Sequence, residues 1–138
     1  MNNMYVKEVL PSDLLGRDSV QEWDSVDLSK KNPSVCRGTV EWRVTKNITL
    51  YGFACFWEAV LSPGIILSTS PLAPMTHWKQ IYLPLVEPLS VKNNQRVMLD
   101  LQSDSRPAVK INVTWKTSVL EAKGKTVASV KQDMRKGY

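Results

Sequence analysis

The sequence predicts an all-β domain, built as an antiparallel barrel or sandwich. Three observations carry that expectation. Apolar and polar residues alternate with period two in several short runs. Turns rich in Pro, Gly and Asn separate those runs. No long stretch repeats its apolar residues at helical spacing.

The elements follow in chain order. Residues 1–35 form an irregular lead-in. Within it, Leu10-Pro11-Ser12-Asp13-Leu14-Leu15-Gly16 fits a short helical turn with Ser12 as cap and Gly16 as stop. Asp24-Ser25-Val26-Asp27-Leu28 alternates and fits a short strand. The main β domain spans 36–119. It opens with Val40, Trp42 and Val44 set against Thr39, Glu41 and Arg43, the pattern of a strand buried on one face. Lys46 and Asn47 mark a turn. Residues 50–61 are then almost wholly apolar, with Tyr51, Phe53, Cys55, Phe56, Trp57 and Val60 among them. That run predicts a central strand covered on both faces. Periodicity alone does not separate it from a buried helix, but its aromatic residues and Gly52 favour strand.

Ser62-Pro63-Gly64 is a turn, and Ile65-Ile66-Leu67 begins the next strand. Pro71 and Pro74 forbid a regular ladder beyond it. Residues 81–86 contain Pro84, which lacks a donor, and so predict an edge strand or a bulge. Lys92-Asn93-Asn94-Gln95 reads as a hairpin turn before a strand over 97–101. Ser103 to Pro107 is a polar turn. The cleanest alternation sets Val109, Ile111, Val113 and Trp115 against Lys110, Asn112, Thr114 and Lys116. Residues 120–138 read as a basic, solvated tail. Val119, Val127 and Val130 are spaced too irregularly to assign an element, and a short helix over 127–134 is one option.

Composition narrows the function. At 138 residues the chain is one domain, and 43% apolar content is enough to bury a core. No run reaches 18 apolar residues, so no membrane-spanning helix is expected. The first residues hold no apolar signal segment. Cys36 and Cys55 are too few for a disulfide scaffold and read as small buried residues. The sequons Asn47-Ile48-Thr49 and Asn112-Val113-Thr114 read as chance. Together these favour a reducing compartment, cytoplasmic or nuclear. Net charge is +5, most clearly clustered in the tail. Trp23, Trp42 and Trp57 alternate with polar neighbours and are expected in the core.

An independent enzyme is not expected. The six glycines never lie closer than twelve residues apart, so no phosphate- or nucleotide-cradling loop can form. No metal cluster is legible, and no Ser or Cys nucleophile pairs with a histidine in a recognisable motif. The one histidine, His77, stands in the most distinctive segment: Leu67-Ser68-Thr69-Ser70-Pro71-Leu72-Ala73-Pro74-Met75-Thr76-His77-Trp78-Lys79-Gln80. Here a strand end, a Pro-containing turn, Thr-His-Trp and a new strand follow one another.

This block resembles the Thr-His-Trp loop of protein arginine methyltransferases, in particular the type I enzymes. The resemblance runs from about Val6 to about Val119 and covers the family's C-terminal β-barrel, the substrate-binding half. It implies a barrel that helps bind substrate arginine and closes the active site for S-adenosylmethionine-dependent methylation. It implies that His77 supports catalysis by pairing with an acidic residue of the catalytic domain. Trp78 would wall the guanidinium or peptide site. Thr76 would fix the loop, and Met75 and Gln80 would stand beside the substrate. S-adenosylmethionine would be held by a Rossmann-like catalytic domain, in cis or in trans, and not by this chain, which would be inactive alone. Substrates would be Arg-rich proteins such as histones or RNA-binding proteins. The family's dimerisation arm and earliest barrel strand have no counterpart here, so an exposed edge and self-association are expected. The competing readings are a stand-alone β-sandwich module for peptide or nucleic acid, and a non-catalytic partner subunit of a methyltransferase.

Overall fold

A computed structural model describes residues 4–136 and bears out the all-β expectation. The described residues form nine strands: β1 (Tyr5–Lys7), β2 (Val35–Arg43), β3 (Ile48–Cys55), β4 (Glu58–Ser62), β5 (Ile65–Ser68), β6 (Gln80–Val91), β7 (Arg96–Asp104), β8 (Asn112–Leu120) and β9 (Thr126–Asp133). The only helical turns among the described residues are two 3-10 turns, Pro11–Asp13 and Arg17–Ser19. All pairings are antiparallel. One sheet has the order β2-β7-β8-β9, a second the order β1-β6-β3, and β4-β5 stand apart as a hairpin.

Alternation determines which side chains meet between the sheets. Val40 and Val44, at the end of β2, point inward with Val97, Leu99 and Leu101 of β7 and with Trp115 and Val119 of β8. Phe53 of β3 and Leu83, Leu85 and Val91 of β6 face them. Burial of large side chains of this kind is worth about 1.5–3 kcal/mol each. Gln132 of β9 donates its side-chain N–H to the Pro84 carbonyl of β6 at 2.9 Å, tying one sheet to the other.

The chain changes sheet at two adjoining corners, one between β2 and β3 and one between β6 and β7. They are knitted by backbone bonds: Val44 N–H to the Gln95 carbonyl (2.9 Å) and Asn94 N–H to the Val44 carbonyl (2.8 Å). Asn47 Oδ1 accepts the Asn93 N–H at 2.9 Å. Asn94 takes a φ of 69°, a left-handed conformation that Asn tolerates. Residues 92–95 therefore turn the chain between two sheets and do not close the expected hairpin.

Other expectations change as well. The run 50–61 is not one central strand. It breaks at Phe56 and Trp57, and β3 lies at the end of its sheet with Tyr51 exposed. The central strand is β6, so of the two expectations for it, an edge or a bulge, the edge does not hold. The expected irregularity at Pro84 is present: pairing passes from Leu50 opposite Leu89 to Gly52 opposite Pro84. A Cβ at position 52 would collide with the Leu83 carbonyl and the Tyr82 ring, so that close approach requires glycine. The alternation at 24–28 forms no strand, and Leu28 is 93% exposed. The helical turn near Leu10 is capped by Asp13, whose carboxylate accepts the Leu10 N–H at 2.9 Å; Ser12 lies inside the turn. The tail holds β9 in place of a helix, paired with β8 from Thr114–Asp133 to Leu120–Thr126. Val109 and Ile111 lie before β8, which starts at Asn112. Cys36 and Cys55 are free. Burial pushes the Cys55 thiol up to about 11, so it stays protonated at neutral pH.

Asp104 closes β7 and is buried. It accepts a forked pair of bonds from the Arg106 guanidinium, the shortest at 2.7 Å. Those bonds hold its carboxyl at about 2, below the ordinary value of 3.8. A depressed carboxyl contributes stability that is complete above its unfolded pKa and is lost as pH falls through the folded one. Asp104→Asn should therefore lower the thermal midpoint at pH 7. The gap to the parent chain should narrow as pH falls from about 4 to about 2. Calorimetry across that range checks it, and a gap independent of pH would contradict it.

Candidate functional site

The Thr-His-Trp loop joins the β4-β5 hairpin to β6, and its shape follows from local bonds. Beyond β5, Ser68 Oγ accepts the Ser70 N–H (3.2 Å), and Ser70 Oγ accepts the Leu72 N–H (3.1 Å). These hydroxyl turns suit a segment whose Pro71 and Pro74 offer no donors. Farther on, the Thr76 hydroxyl accepts the Trp78 N–H (3.2 Å) and donates to the Trp78 carbonyl (3.0 Å). That double contact folds Thr76 and Trp78 around His77 and turns the imidazole outward. His77 is exposed and makes no hydrogen bond or ion pair among the described residues. Trp78 is 53% exposed and Met75 is 87% exposed.

Beneath the loop lies a polar node. Thr69 is 2% exposed. Its hydroxyl accepts the Trp57 N–H at 3.0 Å and donates to the Trp57 carbonyl at 3.1 Å. Its backbone N–H meets the same carbonyl at 3.0 Å. Gln80, 8% exposed, donates from Nε2 to the Thr69 carbonyl and accepts the Val9 N–H on Oε1, both at 2.8 Å. The node thus joins the lead-in, the root of the hairpin and the first residue of β6. It also sets Trp57 against Trp78, whose rings meet edge to face at 5.5 Å and 65°.

The five residues named from sequence separate into two groups. Thr76, His77, Trp78 and Met75 lie together on the loop surface. Gln80 does not: both ends of its amide are engaged by backbone below the loop. Trp57 was expected in the core with Trp23 and Trp42. Those two are partly buried against the core, whereas Trp57 is 43% exposed and forms half of an aromatic rim. Thr69 is not among the site residues named from sequence, and Trp57 is named there only as core. Thr69 lies inside the Leu-Ser-Thr-Ser-Pro block, but nothing in a sequence tells which hydroxyl turns inward. Trp57 was hidden in a continuous apolar run.

The site offers two indole faces, an imidazole and the Glu58 carboxylate, which accepts the Ser68 hydroxyl at 2.9 Å. Aromatic faces attract cations, and an imidazole can pair with a carboxylate. No group of three or more metal-ligating side chains occurs among the described residues.

Comparison with known proteins agrees with this architecture. The PRMT5 oligomerisation domain family matches residues 1–136. Among solved structures, the Trypanosoma brucei PRMT1 enzyme–prozyme heterotetrameric complex with AdoHcy is similar, with a TM-score of 0.71 and 20% identity. The alignment covers 96% of this chain and 43% of that one. At that identity the likeness speaks for the fold, and this chain spans less than half of the other's length.

The node makes a prediction about stability. Gln80→Leu leaves the Val9 N–H and the Thr69 carbonyl buried without partners, and should cost about 1–3 kcal/mol in urea unfolding. Thr69→Val, which keeps shape but removes the hydroxyl, should cost a similar amount. Met75→Ala should change stability by less than about 0.5 kcal/mol. Equal effects from all three would refute the node.

Proposed function

We propose, since this chain belongs to the PRMT5 oligomerisation domain family, that it is the C-terminal β domain of a protein arginine methyltransferase and walls the arginine site. The observation that carries the proposal is the outward display of His77 and Trp78 on a loop stapled from below. Trp78 and Trp57 offer flat faces to a guanidinium or to the peptide around it. His77 pairs with a carboxylate of the catalytic domain, which holds the two domains in register and helps take the proton that the guanidinium loses. Met75 and Thr76 line the approach.

S-adenosylmethionine does not fit this chain. Among the described residues its helices are two three-residue turns, and no glycine turn there leads into a helix that could cradle a nucleoside. The methyl donor therefore belongs to a separate Rossmann-like domain, in cis or in trans, and the chain alone is inactive. A net charge of +5 gives this half no attraction for basic, Arg-rich substrates such as histones or RNA-binding proteins. The acidic groove belongs to the catalytic domain. The four-stranded sheet ends on β9, an edge strand of eight residues, and an edge of that length favours self-association.

Three measurements test this. Capture of the chain from its source cells should yield a mass well above 15.6 kDa, or a co-purifying methyltransferase domain. A species of 15.6 kDa without such a partner would overturn the proposal. In the captured enzyme, His77→Ala should reduce kcat/KM for an arginine peptide by about tenfold or more while the thermal midpoint stays unchanged. Unchanged kinetics would remove His77 from the site. Light scattering should also show association of the isolated chain that rises with concentration; a clean monomer throughout would contradict self-association.

A further inference from the structure

The two main sheets do not close into a complete barrel. β2 ends one sheet and β3 ends the other, and no ladder joins them. Trp42 stacks on Phe53 between them, with centroids 5.6 Å apart and planes at 24°. Beside that stack the core opens to the surface in a cleft of about 620 Å³. This falls within the size range of small-molecule sites. Val40, Phe53 and Leu99 lie at its floor, and Trp23, Trp42 and Tyr82 form its walls.

Most polar groups on these walls are already engaged. The Trp42 indole N–H donates to the Ser19 carbonyl. The Tyr82 hydroxyl donates to the Tyr51 carbonyl at 2.9 Å. The one carboxylate in the lining, Asp13, accepts the Leu10 N–H. What the cleft leaves free is aromatic surface, the Thr49 hydroxyl and two exposed ammonium groups, Lys7 and Lys46. Neither lysine forms an ion pair among the described residues. Lys7 Nζ lies 5.1 Å from the centroid of the Tyr82 ring, which holds its charge over the cleft wall.

We propose that this cleft binds a small organic anion with an apolar body, such as an aryl or acyl carboxylate or sulfonate. The apolar body fills the aromatic interior, where no polar group competes for it. The anionic head meets Lys7 and Lys46 at the mouth. The site is separate from the Thr-His-Trp loop and does not depend on methyl transfer.

Two fluorescent probes of similar shape separate the contributions of body and head. Anilinonaphthalene sulfonate carries the negative charge, and phenylnaphthylamine lacks it. Titration of the 138-residue chain should give saturable, one-to-one binding of both, with quenching of tryptophan fluorescence and tighter binding of the sulfonate. Reversing both charges, Lys7→Glu with Lys46→Glu, should weaken the sulfonate by about tenfold or more and the neutral probe by less than about twofold. Filling the cleft beside Tyr82 with Ala54→Phe should abolish both while near-ultraviolet circular dichroism is retained. If that variant does not fold, the charge-reversal pair still decides. Absent or unsaturable binding would overturn the site. An equal effect of charge reversal on both probes would overturn the anion preference.

Discussion

The amide of Gln80 is the constraint on which the candidate site depends. It is the first residue of β6, the central strand of one sheet, so its position is inherited from the sheet ladder. Its side chain then reaches the lead-in at Val9 and the hairpin root at Thr69. Thr69 passes the constraint to Trp57, and Trp57 passes it to Trp78 through ring contact. A surface loop with two prolines thereby takes its position from the core. Buried polar groups of this kind cost free energy unless fully bonded, and so they specify one arrangement more sharply than an apolar filler would.

The division of labour between the sheets explains why the molecule keeps both a rigid loop and an open seam. The four-stranded sheet has continuous register along β2, β7 and β8, and it supplies most of the inward-facing core. The three-stranded sheet is shorter, is interrupted at Gly52 and Pro84, and ends on β1. Its irregularity re-aims β6 so that Pro84 meets Gln132 of the opposite sheet on one side. On the other side the Trp42–Phe53 stack spans the gap, and the lead-in lies across it. Trp23 rests with its carbonyl against Gly38, where any side chain would displace it.

Much of this was legible in the sequence where one physical pattern acted alone. The alternation of Val40, Trp42 and Val44 predicts β2 because one face is buried and the other wet. Pro63 and Gly64 predict the β4-β5 turn, where Gly64 takes a φ of 78°. The Thr-His-Trp loop was legible as a motif. The pattern failed where pairing, and not periodicity, decides. β9 buries the polar Gln132 and leaves Val127 exposed, so its own residues do not announce a strand; its partner β8 creates it. Residues 24–28 alternate correctly but find no neighbouring strand, and alternation without a partner forms no ladder. Trp57 looked like core because its neighbours are apolar. The supports at Thr69 and Gln80 were illegible because a hydroxyl or amide serving distant backbone carries no local signal.

Amide hydrogen exchange at Trp57 and Val9 tests the central claim most directly, since these donors feed the Thr69 hydroxyl and the Gln80 side-chain Oε1. The account predicts protection comparable to Leu83 and Val97 in the core strands, well above that of the exposed His77 and Lys79 amides. Exchange of Trp57 and Val9 as fast as the loop surface, with the core strands still protected, would show that the loop is not held from beneath and would contradict the account.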